Sequence, residues 1–201
     1  YGGGLIGRAD FAVGTVTTDS RRIEPGDVFW ALRGSMQDGA NFVGDAFRRG
    51  AAGVIAEKSV NPPPYHWSLQ VDDAYRALVD FAAWKRRRFT GTMIAVTGSV
   101  GKTTTRQMIH TVLKTRLAGA VSPRNYNNRV GVPLSMLQIE PNHDYAVVEL
   151  GASRHGEIAS LAQLCLPKVG VITQIGDAHL GGFGSRQAIA ESKAELLDAL
   201  P

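Results

Sequence analysis

Met93-Ile94-Ala95-Val96-Thr97-Gly98-Ser99-Val100-Gly101-Lys102-Thr103-Thr104 is the stretch that decides the fold. Met93–Val96 is a short apolar run of the kind that fills a strand buried on both faces. Thr103–Leu117 then carries a helical period. The loop between them joins a strand to a helix start, the context that phosphate binding requires. Its glycines let backbone N–H groups converge on phosphate oxygens, and the helix N-terminus adds the positive end of its dipole. Thr97, Gly98, Ser99, Val100, Gly101, Lys102, Thr103 and Thr104 are therefore the candidate nucleotide-phosphate loop. Lys102 would reach the β/γ-phosphates, and the Thr103 hydroxyl would bind Mg²⁺. A strict GxxxxGK[ST] pattern needs glycine where this chain has Val96. The spacing here is Gly98-x-x-Gly101-Lys102-Thr103, a shorter loop.

Downstream, strands and helices alternate: Tyr145–Leu150 reads as a strand, Glu157–Leu166 as a helix, Val169–Thr173 as a strand and Gln187–Leu200 as a helix. Short apolar strands alternating with helices predict a parallel sheet covered on both faces. Glu149 is the one charge in its strand and stands near the C-terminal end, where open α/β sheets bind ligands. A carboxylate there is costly unless it is paired or coordinates a cation, so it is the candidate Mg²⁺ ligand. His179 follows the third strand on a loop at the same edge and is a candidate metal or phosphate ligand. His66, His110, His143 and His155 lack such a context and are assigned to surface or packing.

Upstream of this region, Val28–Leu32, Gly53–Ala56 and Ser68–Val71 read as strands, with a helix over Asn41–Arg49. Asn61-Pro62-Pro63-Pro64 is a stiff loop. From Asp72 the period turns helical, with Ala74, Leu78, Phe81 and Ala82 on one stripe and Asp72 or Asp73 as cap. That helix is the expected boundary between residues 1–83 and 84–201. Gly2-x-Gly4-x-x-Gly7 matches a dinucleotide fingerprint literally, but no strand precedes it, so it is read as a Gly-rich turn.

Composition narrows the function classes. The 201 residues are 44% hydrophobic and 20% charged, with a net charge of +4, which excludes a disordered chain. Lys85-Arg86-Arg87-Arg88 supplies much of the excess and is read as a solvated helix end, without the aromatic interleaving of a nucleic-acid surface. The single Cys165 rules out an internal disulfide and reads as a buried small hydrophobe. No apolar stretch reaches the ~20 residues that span a bilayer, so the expected location is cytoplasmic. The chain opens on Tyr1 and stops at Pro201 just after a helical pattern, as a piece of a longer protein would.

Taken together, these residues resemble the Mur ligase superfamily, whose short loop TGxxGKT[TS] matches Thr97–Thr104. Asn125–Pro133, Glu149–Ser153 with Gly156-Glu157-Ile158, and His179–Ser185 carry the resemblance further, toward the MurF branch. Thr18-Asp19-Ser20-Arg21, Pro25–Phe29, Leu32-Arg33-Gly34 and Asp38-Gly39 are similar to the superfamily's N-terminal domain. The implied architecture is α/β: a small mixed α/β substrate domain followed by a partial P-loop parallel-sheet ATPase domain. Val100 stands where many members carry Asn, but backbone amides still do the cradling.

The resemblance also implies roles. Lys102 and Thr103 would serve the phosphates of ATP and Mg²⁺, Glu149 the metal, and His179 a second metal. Asn127 and Asn128 would lie near the phosphates and the muramoyl substrate. Ser20, Arg21, Arg33 and Gly34 would hold the UDP moiety. Lys193 falls where the superfamily has a carbamylated lysine; a carbamate reverses the ammonium charge and offers the oxygen ligands Mg²⁺ prefers. Unmodified, Lys193 would pair with Glu191, Glu195 or phosphate. The implied activity is addition of D-alanyl-D-alanine to a UDP-N-acetylmuramoyl-tripeptide through an acyl phosphate, by a monomer without nucleic-acid partners. The missing C-terminal parts would leave this piece inactive alone. The alternatives are another ligase of the superfamily (MurE or folylpolyglutamate synthetase type) and a P-loop nucleotide-binding module without ligase chemistry.

Overall fold

The computed structural model describes residues 4–7, 14–176 and 183–201. The chain divides into two units, Tyr1–Asp80 and Phe81–Pro201, with the division inside one helix.

In the first unit the order is β1 (Leu5–Gly7), β2 (Val16–Thr17), β3 (Val28–Trp30), α1 (Val43–Arg48), β4 (Gly53–Ala56) and β5 (Trp67–Gln70). The sheet runs β1-β5-β4-β3-β2; β1 is antiparallel to β5 and the other pairs are parallel. The unit is α/β, as expected, and its sheet is mixed, a point on which the sequence was silent. Val28–Trp30 and Gly53–Ala56 are buried throughout, which is why they read as continuous apolar runs. Phe29, Val54 and Ala56 pack with Val43 and Ala46 of α1 in one core.

Three expectations need correction here. Leu5–Gly7 of the supposed Gly-rich turn is a strand; it escaped notice because it has three residues, all exposed. The helix expected over Asn41–Arg49 begins as a 3₁₀ turn, Gly39–Phe42, capped by Asp38, whose carboxylate accepts from the Ala40 amide at 2.9 Å. Helix α2 (Ala74–Arg88) is capped by Asp73, which accepts from the Arg76 amide at 2.8 Å. Ala74, Leu78 and Ala82 form its buried stripe, but Phe81 turns outward and stacks on Trp84 with ring centres 5.8 Å apart.

The second unit contains β6 (Thr92–Thr97), α3 (Lys102–Leu113), β7 (Gly119–Val121), α4 (Gly131–Leu137), β8 (Tyr145–Glu149), α5 (Glu157–Cys165), β9 (Val169–Ile172) and α6 (Arg186–Ala194). Its sheet, β7-β8-β6-β9, is wholly parallel. Ile94, Val96, Tyr145 and Val147 pack toward Ile109 and Leu113 of α3. Met93 and Ala95, which point the other way, are equally buried. Both faces are covered, as expected. β6 lies between β8 and β9, so its carboxyl end is flanked by two others, the place where such sheets bind ligands.

In the second unit β7 and α4 were not anticipated, and in the first unit β2 was not. The helix expected to reach Leu117 stops at Leu113 because the chain turns there, with the Thr115 hydroxyl donating to the Val112 carbonyl at 2.7 Å, to enter β7. The last helix ends at Ala194 rather than Leu200 and gives way to a 3₁₀ turn, Leu197–Ala199.

The basic run is not a solvated helix end throughout. Arg86 is buried and donates to the carbonyls of Cys165, Phe89 and Leu166. Lys85 is half-buried and donates to the Leu137 carbonyl. Both cap helix ends inside the second unit; Arg87 and Arg88 are exposed.

Candidate functional site

The loop after β6 is tied down before any ligand is considered. Gly98 has φ +140°, and a side chain there would run into the Thr173 hydroxyl, 2.1 Å from where a Cβ would sit. Gly101, φ +86°, stands at the N-cap of α3. The Thr173 hydroxyl, just past β9, donates to the Val100 carbonyl at 2.6 Å, and the Ser99 amide donates to the Gln174 carbonyl at 2.7 Å. The Ser99 hydroxyl reaches the Gly176 carbonyl at 3.0 Å and the Thr97 hydroxyl the Leu150 carbonyl at 2.9 Å. The loop is thus bonded to the chain that leaves both neighbouring strands. Thr173 and Gln174 were not singled out in the sequence; their position at the end of an apolar strand was the available signal.

No side chain caps α3. Its first-turn amides, at Lys102, Thr103 and Thr104, have no partners within the helix and suit an anion. Lys102 lies over its own loop, Nζ donating to the Gly98 carbonyl at 2.8 Å and the Ser99 carbonyl at 3.3 Å.

Glu149, the last residue of β8, is buried and faces α3. Its Oε2 accepts from the Thr103 hydroxyl at 2.8 Å, and its Oε1 accepts from Asn127 Nδ2 at 2.8 Å. Three sequence candidates from three elements therefore meet at one carboxylate. A hydroxyl beside a carboxylate is a hard-oxygen pair that fits Mg²⁺, which keeps several waters and substrate phosphates among its ligands. Among the described residues no group of three or more His, Cys, Asp or Glu could hold a metal. The pair fits an ion shared with a nucleotide, not a cage made by protein alone.

Other candidates stand apart from this cluster. The Asn128 side-chain oxygen accepts from the amides of Val130 and Gly131 at 3.1 and 2.9 Å, capping the approach to α4. His179 lies outside the described residues. Lys193, on α6, is buried; its Nζ donates to the Ala152 carbonyl at 3.4 Å and lies 5.3 Å from the centre of the Phe183 ring. Burial pushes its ammonium pKa down, the charge of Lys102 adds to that, and Glu195 and Glu157 oppose it. Glu195 is already engaged, accepting from the amides of Gly156 at 2.8 Å and Ala159 at 2.9 Å at the start of α5. Glu191 accepts from Gln187 Nε2 at 2.9 Å.

In the first unit, Ser20 is buried in a 3₁₀ turn while Arg21 projects outward, paired with Asp19 at 2.9 Å. The hydrogen bond from Arg21 is the main reason the Asp19 carboxyl sits below its usual range. Arg33 and Asp38 bridge across a tight loop in which the Gly34 amide donates to the Gln37 carbonyl at 2.8 Å. Arg33, Asp38, Glu57 and Lys58 help to line a cavity of about 90 Å³. That volume suits a few waters, whereas small-molecule sites usually offer about 300–1,000 Å³. Ser20 and Arg21 are not among its lining residues.

Comparison with known proteins bears on both units. The profile described as "Mur ligase middle domain" matches residues 96–201, and that described as "Mur ligase family, catalytic domain" matches residues 12–81. The UDP-N-acetylmuramoyl-tripeptide–D-alanyl-D-alanine ligase of Synechocystis is 42% identical over 96% of this chain and 42% of its own length. That of Bacillus subtilis is 42% identical over 92% of this chain and 41% of its own. Among solved structures, MurF from Acinetobacter baumannii superposes with a TM-score of 0.85 at 36% identity, covering 96% of this chain and 42% of that one. MurF ligase from Thermotoga maritima in complex with ADP gives a TM-score of 0.77 at 35% identity, over 92% and 43%. The chain spans about two fifths of the length of these relatives.

Proposed function

Because the chain belongs to the Mur ligase family, we propose that it is the substrate-binding and phosphate-handling part of a ligase that adds D-alanyl-D-alanine to a UDP-N-acetylmuramoyl-tripeptide. The observation that carries this reading is the meeting of Thr103, Asn127 and Glu149 beside the Gly98–Lys102 loop. Similarity across both units to relatives named UDP-N-acetylmuramoyl-tripeptide–D-alanyl-D-alanine ligase supports the choice of reaction. Residues 1–83 are assigned to the UDP-linked substrate, through Ser20, Arg21, Arg33 and Gly34, and residues 84–201 to ATP. A nucleotide-linked substrate and ATP support a cytoplasmic setting. Among the described residues no helix is long and apolar enough to cross a membrane.

A carboxylate is a poor electrophile, so the reaction begins by making it a better one. A terminal carboxylate oxygen of the tripeptide attacks the γ-phosphorus of ATP, the bond to the β-phosphate oxygen breaks, and ADP leaves. The amine of D-alanyl-D-alanine then attacks the acyl carbon, the bond to phosphate breaks, and the amine loses a proton. In this reading Lys102 turns from its loop carbonyls to the β/γ-phosphates and, with the α3 amides, offsets charge as the phosphoryl group moves. Thr103 and Glu149 would hold Mg²⁺, which would offset phosphate charge when bound. Asn127 keeps the Glu149 carboxylate turned toward Thr103. Lys193 is assigned as the carbamate: its lowered pKa enlarges the fraction of neutral amine that reacts with CO₂.

Titration calorimetry of the 201-residue chain tests this. ADP with Mg²⁺ should bind, and Lys102→Ala should weaken it at least about tenfold, in line with charge-assisted phosphate contacts. UDP-N-acetylmuramoyl-tripeptide should bind separately and be displaced by UDP. A folded chain that takes up neither ligand overturns the proposal, and one that takes up ADP alone supports a plain nucleotide module.

A further inference from the structure

Arg106 lies on α3 one turn beyond Thr103, with 4% of its surface exposed. It forms no ion pair with a carboxylate among the described residues. Its Nη1 donates to the Ser122 carbonyl, to the Ser122 hydroxyl at 3.2 Å and to the Pro123 carbonyl at 2.9 Å, while its buried Nε finds no acceptor among them. Burying a guanidinium against neutral acceptors is costly, and an apolar side chain of similar size would fill the space for less. The acceptors, however, open the segment that leads from β7 to Asn127. The Ser122 hydroxyl that meets Arg106 also accepts from the Glu149 amide at 3.2 Å. Further along the segment, the Asn127 carbonyl accepts from the Gly151 amide at 2.7 Å, and its side chain donates to Glu149. A ring of contacts thus runs from α3 through Arg106 to Ser122, along the segment to Asn127, across to the Glu149 carboxylate, and back to α3 through Thr103.

We propose that Arg106 is a positioning residue: anchored on the phosphate-loop helix, it fixes the Ser122–Asn127 segment and so holds Asn127 and the Glu149 carboxylate in register with Thr103. The proposal deepens the reading of Thr103 and Glu149 as the Mg²⁺–nucleotide pair and rests on it. Arg106 itself reaches neither ligand. Its loss should disturb what depends on the carboxylate and spare what depends on the loop amides and Lys102.

The test measures ADP affinity of the 201-residue chain with and without Mg²⁺, for wild type, Arg106→Met, Arg106→Lys and Ser122→Ala. Removing partners that orient metal ligands costs about 10–100-fold in metal affinity. Arg106→Met should therefore weaken Mg²⁺-dependent binding about tenfold or more and change Mg²⁺-free binding by less than about twofold. Arg106→Lys, which can reach one carbonyl, should recover part of the loss. Ser122→Ala, which keeps the guanidinium and both carbonyls, should show a smaller loss of the same kind and serves if Arg106→Met does not fold. Equal losses with and without Mg²⁺, or a lowered Tm with unchanged affinity, overturn the proposal. If wild type binds no ADP, the functional reading fails. The Asn127 side-chain amide resonances then still decide about Arg106: they should move to exposed-amide positions in Arg106→Met, and unmoved signals overturn its positioning role.

Discussion

Thr103 and Glu149, 46 positions apart in the chain, meet side chain to side chain, the hydroxyl donating to the carboxylate at 2.8 Å. The contact joins the first turn of α3 to the last residue of β8, and the second carboxylate oxygen is taken by Asn127. Glu149→Gln tests the arrangement sharply because it keeps the shape. An amide offers one accepting oxygen and one donating nitrogen, so the oxygen keeps the Asn127 donor while the nitrogen turns to Thr103, whose hydroxyl then accepts. Stability in chemical denaturation should therefore stay within about 1 kcal/mol of wild type. The carboxylate charge is lost, however, and calorimetry should show Mg²⁺-dependent ADP binding weakened. Unchanged Mg²⁺-dependent binding would mean that the carboxylate does not serve the ion.

The two loop glycines should differ in tolerance. At Gly101 the nearest atom to an added Cβ is 3.8 Å away, so alanine meets only backbone strain at φ +86°. At Gly98 the same methyl group would overlap the Thr173 hydroxyl as well as strain the chain at φ +140°. Strained backbone costs about 1–3 kcal/mol, and Gly98→Ala adds a clash that cannot relax without breaking the Thr173–Val100 contact. Gly98→Ala should therefore lower Tm and ADP affinity more than Gly101→Ala. The reverse order in a thermal melt would contradict the packing of Thr173 on the loop.

How much of this was legible depends on what each residue reads. Residues 97–104 were legible because loop, strand and helix are contiguous, and Glu149 because a charge inside an apolar strand needs a reason. Asn127 could be carried over only by resemblance: its partner lies on another strand, and no local pattern records that distance. β7 and Leu5–Gly7 were missed because three residues do not establish a period. Arg86 was misread because Lys85–Arg88 is uniform in sequence, while the helix turn aims only one of its arginines into the interior.

That difference within the run gives a contrast in stability. Arg86 satisfies three carbonyls where α2 and α5 end, and no other described side chain is shown reaching them. Hydrogen bonds from a charged donor contribute about 1.5–3 kcal/mol each and are not additive. Arg86→Leu should cost about 3 kcal/mol in chemical denaturation. Arg87→Leu, at an exposed position, should fall within about 0.5 kcal/mol of wild type. Equal effects at the two positions would restore the solvated reading of the whole run.

Cys165 supplies a pH test. It is fully buried at the end of α5 with Met136 Sδ 3.9 Å from its sulfur, and burial pushes its thiol up from 9.0 to about 12. Between these values the unfolded chain releases the proton and the native chain retains it. The unfolded state then binds fewer protons, so this residue lowers stability as pH rises from 9 toward 12 and has no such effect below 9. At pH 10.5 the loss should be about 2 kcal/mol, at about 1.4 kcal/mol per pH unit beyond the unfolded value. Cys165→Ala gives up some packing at every pH but lacks the titration. Its stability deficit relative to wild type at pH 7.5 should therefore shrink or change sign at pH 10.5. Because this is the chain's single cysteine, a thiol reagent at pH 8 reports on the same burial: native protein should react only as fast as it opens. A constant difference between the two proteins across this range, or rapid labelling of folded protein, would show that the thiol is not sealed in the core.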